Sequence, residues 1–305
     1  MERMTGYLAP QGYLPELLNE LTDLTQIKEV YDRLVFASGE PINSAWAQNI
    51  WINPKRIPIE SISSGARALR NIQRNWSLYS VQSHRRAQLI SEKLPMISPK
   101  PRLFPSPLPT SPLGSWTLVE DNLLIAASEC SSPFPNGELH FQEDKLSSPS
   151  RAYLKLWEAL TLVGQHPISG NKCLDMGSSP GGWTWALQAL GAEVISVDKA
   201  LLTSEVSSLP RVQFIQQDAF TLDPHSIGPI DWFFSDVICY PHKLYELVQK
   251  WLEAGTCKRF ICTLKFQGKE LKPSDLEVVR AFGTISGSSL RHLSHNKHEL
   301  TWLMI

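Results

Sequence analysis

In the C-terminal half of the chain, short apolar runs alternate with segments of helical apolar spacing. Apolar runs at residues 173–175, 194–197, 212–217, 230–235 and 259–264 predict five strands. Helical spacing at 151–163, 183–190 and 245–252 predicts helices around them. Strands that alternate with helices are typical of a parallel α/β sheet. We therefore expect a Rossmann-like, doubly wound, mostly parallel sheet, followed by one more strand at 299–305.

The N-terminal half has a less regular pattern. Helices are predicted at 13–24 and within 61–76, a strand at 30–37, and two short strands within 116–127 that join near 120–122. Residues 95–112 contain seven prolines, which predicts a stiff, extended connector. We expect two domains, a smaller α/β N-terminal unit at 1–145 and the Rossmann-like domain at 146–305.

The composition narrows the class of protein. Of the 305 residues, 42% are hydrophobic and 19% are charged, as in an ordinary globular protein. The sequence lacks an apolar run of membrane-spanning length and a signal-peptide pattern, so we expect a cytoplasmic protein. Five cysteines are widely spread without a C-x-x-C pair, which favours free thiols over a disulfide framework or a zinc site.

The net charge of −1 conceals a basic segment at 55–102. Ten Lys and Arg residues there face only two acids, and aromatic residues Trp76 and Tyr79 follow three arginines at helical spacing. Such a surface is typical of a partner with a phosphate backbone, although a solvated helix face is the alternative. The candidate RNA-binding residues are Arg67, Arg70, Arg74, Arg85 and Arg86.

Residues 173–202 predict a strand, a glycine-rich turn, a helix and a second strand that ends at Asp198. Gly177, Gly181 and Gly182 have the spacing G-x-x-x-G-G, which differs from the dinucleotide fingerprint G-x-G-x-x-G. Without a lysine to hold phosphates, the turn suits a nucleoside such as S-adenosylmethionine (SAM). The carboxylate of Asp198 is then placed to accept the ribose hydroxyls. The alternative is a glycine-rich turn that binds no ligand.

Polar residues follow one strand after another in this half. Because parallel strands end at one edge of the sheet, we expect these side chains to meet at the edge where α/β sheets bind ligands. A helix N-cap is the alternative for any single acid among them. The residues are Asp175, Asp198, Asp218, Asp236 and Lys265.

Several motifs carry a family resemblance. SRAYLKL, LDMGSSPGGWT, VISVD, SDV, TLK and HELT, in this order over 150–305, resemble the FtsJ-type ribose 2′-O-methyltransferases. The segments YLAPQGYLPELLNEL and SSPFPNGELHFQEDKL are similar to members that act on bacterial 23S rRNA. Where those members carry a THUMP-like RNA-binding module, this chain is shorter and proline-rich. The resemblance implies a SAM-dependent enzyme that methylates RNA.

The resemblance also implies site residues. The catalytic tetrad would be Lys155, Asp236, Lys265 and Glu299, with Lys265 as general base. A lysine acts as a base only when neutral, and we expect the two lysines to lower each other's pKa. In SAM binding, the resemblance places Asp198 at the ribose and Asp218 at the adenine amino group. The full set of residues expected to bind SAM is Ser150, Ser179, Pro180, Gly181, Gly182, Trp183, Asp198, Asp218 and Asp236.

Two tryptophans and three histidines near the predicted site each allow two interpretations. The side chains of Trp183 and Trp185 are expected to pack rather than to stack on a base. His292, His295 and His298 would need a helix to face one metal ion, whereas the residues after them predict a strand, so we expect no metal site. Two other function classes stay open: a SAM-dependent enzyme with a non-RNA acceptor, and a non-catalytic RNA-binding protein.

Overall fold

The structure is a computed structural model that describes residues 3–97, 100–268 and 270–305. The chain divides into two compact units. Unit 1 comprises Met1–Leu103 and Pro107–His140, and unit 2 comprises Phe104–Ser106 and Phe141–Ile305. Within the described residues, no helix combines the length and apolar character needed to cross a membrane. All five cysteines are free thiols.

In its described residues, unit 1 contains two small sheets and three α-helices. Its elements are β1 (Met4–Leu8), α1 (Leu14–Thr22), β2 (Ile27–Tyr31), β3 (Leu34–Ser38), β4 (Asn49–Ile52), β5 (Lys55–Pro58), α2 (Ile62–Ile72), β6 (Trp76–Leu78), α3 (His84–Ser91), β7 (Gly114–Glu120), β8 (Leu123–Ala127) and β9 (Glu129–Cys130). The strand orders are β2-β3-β1-β4-β9 and β5-β8-β7-β6. The predicted hairpin within 116–127 is confirmed as the antiparallel pair β7 and β8.

One predicted strand of unit 1 is a hairpin instead. Residues 27–38 form the antiparallel strands β2 and β3, which turn at Asp32 with φ of +51°. Aspartate tolerates this left-handed conformation better than most residues, and the Tyr79 hydroxyl donates a hydrogen bond to its carboxylate. The prediction of one strand at 30–37 was therefore wrong, because the apolar pattern does not mark a two-residue turn.

The basic helix of unit 1 is shorter than its pattern suggested. Helix α2 begins after Ser61, whose hydroxyl accepts the backbone N–H of Ser64, and it ends at Ile72. The Trp76 indole N–H donates to the carbonyl oxygens of Leu69 and Gln73, both at 3.0 Å, and closes the helix end. Arg74 therefore follows the helix and does not share its face with Arg67 and Arg70.

The segment expected to be an extended connector carries no helix in its described part, and Pro99 lies outside the described residues. Residues Phe104–Ser106 of this segment belong to unit 2. There the Phe104 ring stacks on Trp157 with a centroid distance of 4.9 Å. The connector is therefore anchored in unit 2 by an aromatic contact.

Unit 2 alternates strands and helices, with more elements than the pattern predicted. Its elements are α4 (Tyr153–Val163), β10 (Lys172–Met176), α5 (Gly182–Ala189), β11 (Glu193–Asp198), α6 (Ser204–Ser207), β12 (Val212–Gln216), α7 (Pro224–Ile227), β13 (Trp232–Ser235), α8 (Pro241–Ala254), β14 (Phe260–Lys265), α9 (Pro273–Gly283), β15 (Ser288–Arg291) and β16 (Glu299–Met304). The predicted Rossmann-like α/β fold class is confirmed.

In the described part of unit 2, the strands form one sheet in the order β12-β11-β10-β13-β14-β16-β15. The first five are parallel, whereas β16 runs antiparallel to both β14 and β15. The order reverses direction between β10 and β13, which is the switch point where ligands bind in such sheets. The central strand β13 is buried at all four positions, whereas the edge strand β12 is only partly buried, so the apolar runs reflect burial on both faces.

Asp175 does not lie at the open edge of this sheet, contrary to the expectation for the polar strand ends. It is fully buried in β10, and its Oδ2 accepts a hydrogen bond of 2.7 Å from the Thr184 hydroxyl of α5. Burial raises the pKa of Asp175 to about 7, and the charges of Asp236 and Asp198 add to the effect. The residue therefore joins helix α5 to the sheet beneath the glycine-rich turn.

Asp175 should make stability depend on pH. Because its folded pKa lies above its ordinary value of 3.8, the folded protein holds a proton that the unfolded chain releases as the pH rises. We expect the free energy of unfolding of the wild type to fall, relative to Asp175→Asn, between about pH 4 and about pH 7. Urea unfolding of both proteins across this range measures the difference, and parallel curves would contradict it.

Candidate active site

The glycine-rich turn between β10 and α5 excludes side chains. Gly177 has φ of +77°, and a Cβ there would lie 2.5 Å from the Cα of Val237. Gly181 has φ of +119°, and a Cβ at Gly182 would lie 2.4 Å from the Ser150 Oγ. Only glycine fits these positions, so the turn presents bare backbone at the carboxyl end of β10 and the start of α5. The contact of Gly177 with Val237 also places this turn beside Asp236.

Several buried hydroxyls surround this turn. Within the described residues, the Oγ atoms of Ser150, Ser178 and Ser235 are buried and make no hydrogen bond. Buried polar atoms are normally paired, and an unpaired one is costly. Ser178 follows Gly177, and Ser235 ends β13, so two of the three belong to the switch point of the sheet. These hydroxyls fit a polar ligand seated between the turn and β13.

Asp198 ends β11 next to the same turn. Its two carboxylate oxygens accept the backbone N–H groups of Ser179 and Ala200, both at 2.9 Å. Each oxygen can accept a further hydrogen bond, and the side chain is only partly buried. The carboxylate is therefore held in place by backbone and remains able to bind a pair of hydroxyls.

Asp218 has two partners within the protein. It caps a short 3₁₀ turn by accepting the N–H of Phe220 at 3.0 Å, and its other oxygen pairs with Lys199 Nζ at 2.8 Å. The hydrogen bond from Lys199 holds the pKa of Asp218 below its usual range. Capping, the alternative for any acid at a strand end, is thus realised here, and a role at the adenine amino group stays a prediction.

The four residues of the expected tetrad meet at one point. Lys155 Nζ lies 2.8 Å from Asp236 Oδ1 and 2.8 Å from Glu299 Oε1. Lys265 Nζ lies 3.0 Å from the same Asp236 oxygen. Asp236 therefore bridges the two lysines, and Glu299 completes the charge balance of two cations and two anions.

Four different elements bring these side chains together. Lys155 lies on α4, Asp236 follows β13, Lys265 ends β14, and Glu299 begins β16. Because β16 runs antiparallel to β14, its first residue, Glu299, pairs directly with Lys265. This register places the fourth residue at the edge where the parallel strands end.

The charges of the tetrad differ from our expectation for Lys155. Burial alone would lower the pKa of Lys155, but the carboxylates of Asp236 and Glu299 raise it above its ordinary value. The expectation that Lys265 lowers it was wrong, because two carboxylates lie between and beside the lysines. Burial likewise would raise the pKa of Asp236, yet the two ammonium groups hold it below its usual range.

The three histidines have separate protein partners. The Nε2 of His292 lies 3.0 Å from the carbonyl of Lys297, and burial lowers the pKa of His292 to about 4. His295 Nδ1 lies 2.6 Å from Glu158 Oε2, and His298 Nδ1 lies 3.1 Å from the carbonyl of Gly268. Within the described residues, no group of three or more His, Cys, Asp and Glu side chains is arranged to hold a metal ion.

The sequence analysis missed one buried acid of the site. Glu158 lies three residues after Lys155, and these are the two charged residues of the otherwise apolar helix α4. Its exposed fraction is 2%, and four donors of residues 294 and 295 surround its carboxylate. The sequence signal for Glu158 was a second charged residue in an otherwise apolar helix. A charge is rarely buried without a specific partner, so this residue could have been predicted to bind one.

The remaining candidates are accounted for as follows. Trp183 is buried, and its indole N–H donates to the Ala152 carbonyl at 2.9 Å, which confirms packing over base stacking. Trp76 and Tyr79 are buried in unit 1, so they add no aromatic surface to the basic segment. In unit 1, the side chains of Arg67, Arg70, Arg74 and Arg85 are exposed, and that of Arg86 is partly buried.

Comparison with known proteins identifies the domain. Residues 149–285 match the model of the FtsJ-like methyltransferase family. Unit 2 therefore carries an FtsJ-like methyltransferase domain. The predicted resemblance is confirmed, and with it SAM as the cofactor of the domain. The bare turn, the unpaired hydroxyls and Asp198 fit this cofactor.

Curated relatives share about half of the chain. Ribosomal RNA large subunit methyltransferase M of Thauera aminoaromatica is 31% identical over 167 residues, covering 51% of this chain and 45% of the relative. The protein of the same name from Laribacter hongkongensis is 30% identical over 197 residues, covering 60% of this chain and 55% of the relative. The chain therefore spans about half the length of the curated relatives it matches.

Among solved structures, the fibrillarin pre-rRNA processing protein of Methanococcus jannaschii superposes with a TM-score of 0.37 and 18% identity. The match covers 50% of this chain and 74% of that protein. This TM-score is too low to support a conclusion, so the fold assignment rests on the strand order of unit 2.

Asp198 gives a test of the cofactor site. We expect Asp198→Ala to weaken SAM binding by about 1.5–3 kcal/mol, because a carboxylate that receives charge-assisted hydrogen bonds is lost. Isothermal titration calorimetry measures the affinity. Asp223→Ala is the control, since it removes a carboxylate that likewise accepts a backbone N–H, from His225 at 3.1 Å. Equal SAM affinity in folded Asp198→Ala and wild type would reject this placement.

Proposed function

We propose that the chain is a SAM-dependent RNA ribose 2′-O-methyltransferase that acts on 23S rRNA. The observation that carries the proposal is the cluster of Lys155, Asp236, Lys265 and Glu299, with contacts of 2.8–3.0 Å, in a domain of the FtsJ-like methyltransferase family. The names of the curated relatives support a ribosomal RNA substrate. A cytoplasmic location is part of the proposal.

The residues that would hold SAM surround the switch point of the sheet. We assign three groups to the cofactor: the glycine-rich turn with Ser179, Pro180, Gly181 and Gly182, the backbone N–H of Trp183, and the Ser150 hydroxyl. Asp198 would accept the ribose hydroxyls, Asp218 the adenine amino group, and Asp236 would border the reactive end. When bound, SAM supplies an electrophilic methyl group on a sulfonium sulfur.

A ribose 2′-hydroxyl is a poor nucleophile, so a base must take its proton as the oxygen attacks. We assign this role to the Nζ of Lys265. Its side chain is 21% exposed and contacts one carboxylate, whereas that of Lys155 is 8% exposed and contacts two. Lys265 is therefore the lysine with better access to a substrate hydroxyl.

Lys155 would have an electrostatic role. Asp236 and Glu299 raise its pKa, so its ammonium keeps its proton and orients both carboxylates. Asp236 in turn holds the Lys265 amine at 3.0 Å. Fixed groups of this kind contribute by orienting the reactants, which in well-aligned systems accounts for about 7–11 kcal/mol of a barrier.

Unit 1 would contribute RNA affinity. The exposed arginines on and just after α2 and on α3 suit the phosphate backbone, and Arg67, Arg70, Arg74, Arg85 and Arg86 remain the candidates. With Trp76 and Tyr79 buried, the surface provides charge rather than base stacking. We therefore assign it to sequence-independent binding, and the choice of nucleotide to the region around the tetrad.

The direct test of the function is methyl transfer from labelled SAM to rRNA, followed by nucleoside mass spectrometry. The proposal requires the label on a 2′-O-methyl nucleoside of 23S rRNA. A label on a base would reject ribose chemistry. A label only on small molecules would support a SAM-dependent enzyme with a non-RNA acceptor.

The base is tested at Lys265. Lys265→Ala should abolish single-turnover methyl transfer while SAM and RNA still bind, because a general base acts mainly in the transition state. Lys265→Arg should be nearly as damaging, since a guanidinium does not release its proton near neutral pH. The control is Lys258→Ala, at an exposed lysine of the same unit. A near-wild-type rate in the arginine variant would mean that Lys265 only positions substrate.

The basic surface is tested by charge reversal. Replacing Arg67, Arg70 and Arg74 by Glu should reduce RNA affinity and flatten its dependence on salt, with SAM affinity unchanged. Reversal of Lys28, Lys243 and Lys258, three exposed lysines outside residues 55–102, is the control for net charge. Filter binding at several salt concentrations gives the slopes. An unchanged slope in the arginine variant would show that this is only a solvated surface.

A further inference from the structure

The buried acid Glu158 is connected to the tetrad through the loop at 292–298, between β15 and β16. Its carboxylate is saturated by that loop. Oε1 accepts the backbone N–H and the hydroxyl of Ser294, both at 2.8 Å. Oε2 accepts the backbone N–H of His295 at 3.0 Å and lies 2.6 Å from His295 Nδ1. A carboxylate has about four acceptor positions, so all of them are used for this loop.

The same loop holds Glu299. Asn296 Nδ2 donates to the Glu299 carbonyl at 3.2 Å and to the Thr301 hydroxyl at 3.1 Å. The backbone N–H of Lys297 donates to Glu299 Oε1 at 3.3 Å, and this is the oxygen that contacts Lys155. The loop therefore fixes both the backbone and the carboxylate of the fourth tetrad residue.

Packing restricts the loop further. The His295 ring lies against Phe141 with a centroid distance of 5.8 Å, and Phe141 contacts Trp157 of α4 at 5.6 Å. Two residues of helix α4 therefore restrict the loop: Glu158 binds it through hydrogen bonds, and Trp157 supports it through Phe141. Burial of a carboxylate is costly unless its hydrogen bonds are complete, and a complete buried network fixes one arrangement.

We propose that Glu158 is a positioning residue that sets Glu299 against Lys155. Lys155 and Glu158 lie three residues apart on α4, so the helix fixes the distance between them. Lys155 binds the Glu299 carboxylate, and Glu158 binds the loop from which Glu299 emerges. Helix α4 therefore holds both ends of this contact. The inference rests on the proposed function for its catalytic consequence.

The test variant is Glu158→Gln. It keeps the size of the side chain, but the amide nitrogen cannot accept the hydrogen bonds that a carboxylate oxygen receives. We expect a single-turnover rate lower by up to about 100-fold with SAM affinity unchanged, since a small displacement of a catalytic group has effects of that order. The control is Asp275→Asn, a buried carboxylate of unit 2 that accepts the N–H of Lys272 at the start of α9.

A double-mutant cycle separates positioning from general destabilisation. If Glu158 acts through Glu299, Glu158→Gln should add little to the loss already caused by Glu299→Ala. A full additional loss in the double variant would overturn the proposal, as would a wild-type rate in folded Glu158→Gln. Should Glu158→Gln fail to fold, Ser294→Ala removes one of the four donors and is expected to show the same non-additivity with a smaller loss.

A second readout does not need methyl transfer. Displacement of Glu299 should expose the Lys155 amine, so an amine-reactive reagent should modify Lys155 faster in Glu158→Gln than in wild type or Asp275→Asn. Mass spectrometry of the peptide that contains Lys155 measures this rate. If the wild type transfers no methyl group to RNA, the proposed function fails, and labelling still decides the positioning. An unchanged labelling rate would overturn the inference itself.

Discussion

The contact on which unit 2 depends is the buried ammonium group of Lys155 between the carboxylates of Asp236 and Glu299. A charged amine in this position would be strongly destabilising without both partners, because its burial alone opposes the charged form. The two carboxylates come from different parts of the sheet, Asp236 from the end of β13 and Glu299 from the start of β16. Satisfying one buried charge therefore fixes a helix, a parallel strand and an antiparallel strand relative to one another. Lys265 joins the cluster through Asp236, at the outer, more exposed side.

Next to this charged cluster, the proposed cofactor side of the site is made of backbone. The turn with Gly177, Gly181 and Gly182 excludes side chains, and Gly177 lies against the backbone of Val237. This close approach couples the two halves of the site, because Val237 directly follows Asp236. A side chain at Gly177 would displace the loop that carries Asp236. The absence of a side chain at Gly177 is therefore needed to keep the tetrad in place.

Unit 1 changes the interpretation of the basic segment. The arginines on α2 and the one just after it are exposed, as a basic surface requires. The aromatic residues that follow them in the sequence, Trp76 and Tyr79, instead lie in the interior, and the Trp76 indole closes helix α2 through the carbonyls of Leu69 and Gln73. Trp76, which lies beside arginines in the sequence, thus packs in the interior, whereas the arginine side chains remain exposed. This division is why we assign electrostatic affinity and not base recognition to unit 1.

Local pattern by itself determined strands β10 to β14 and β16, helices α4, α5 and α8, the glycine-rich turn and the polar residues that follow the strands, whereas β15 and helices α6, α7 and α9 were not predicted. Each of these depends on residues a few positions apart, so the periodicity and the glycine positions within a short window predict it. The turn at Asp32, whose carboxylate accepts the Tyr79 hydroxyl, and the burial of Asp175 were decided by tertiary contacts that no short window contains. The tetrad shows the difference most clearly. Its residues were named through a family resemblance, but only the antiparallel register of β16 sets Glu299 opposite Lys265, and only the packed loop brings Ser294 and His295 onto the Glu158 carboxylate. Register and loop anchoring depend on burial and hydrogen bonds between segments far apart in the chain, so they come into existence only when the sheet is assembled.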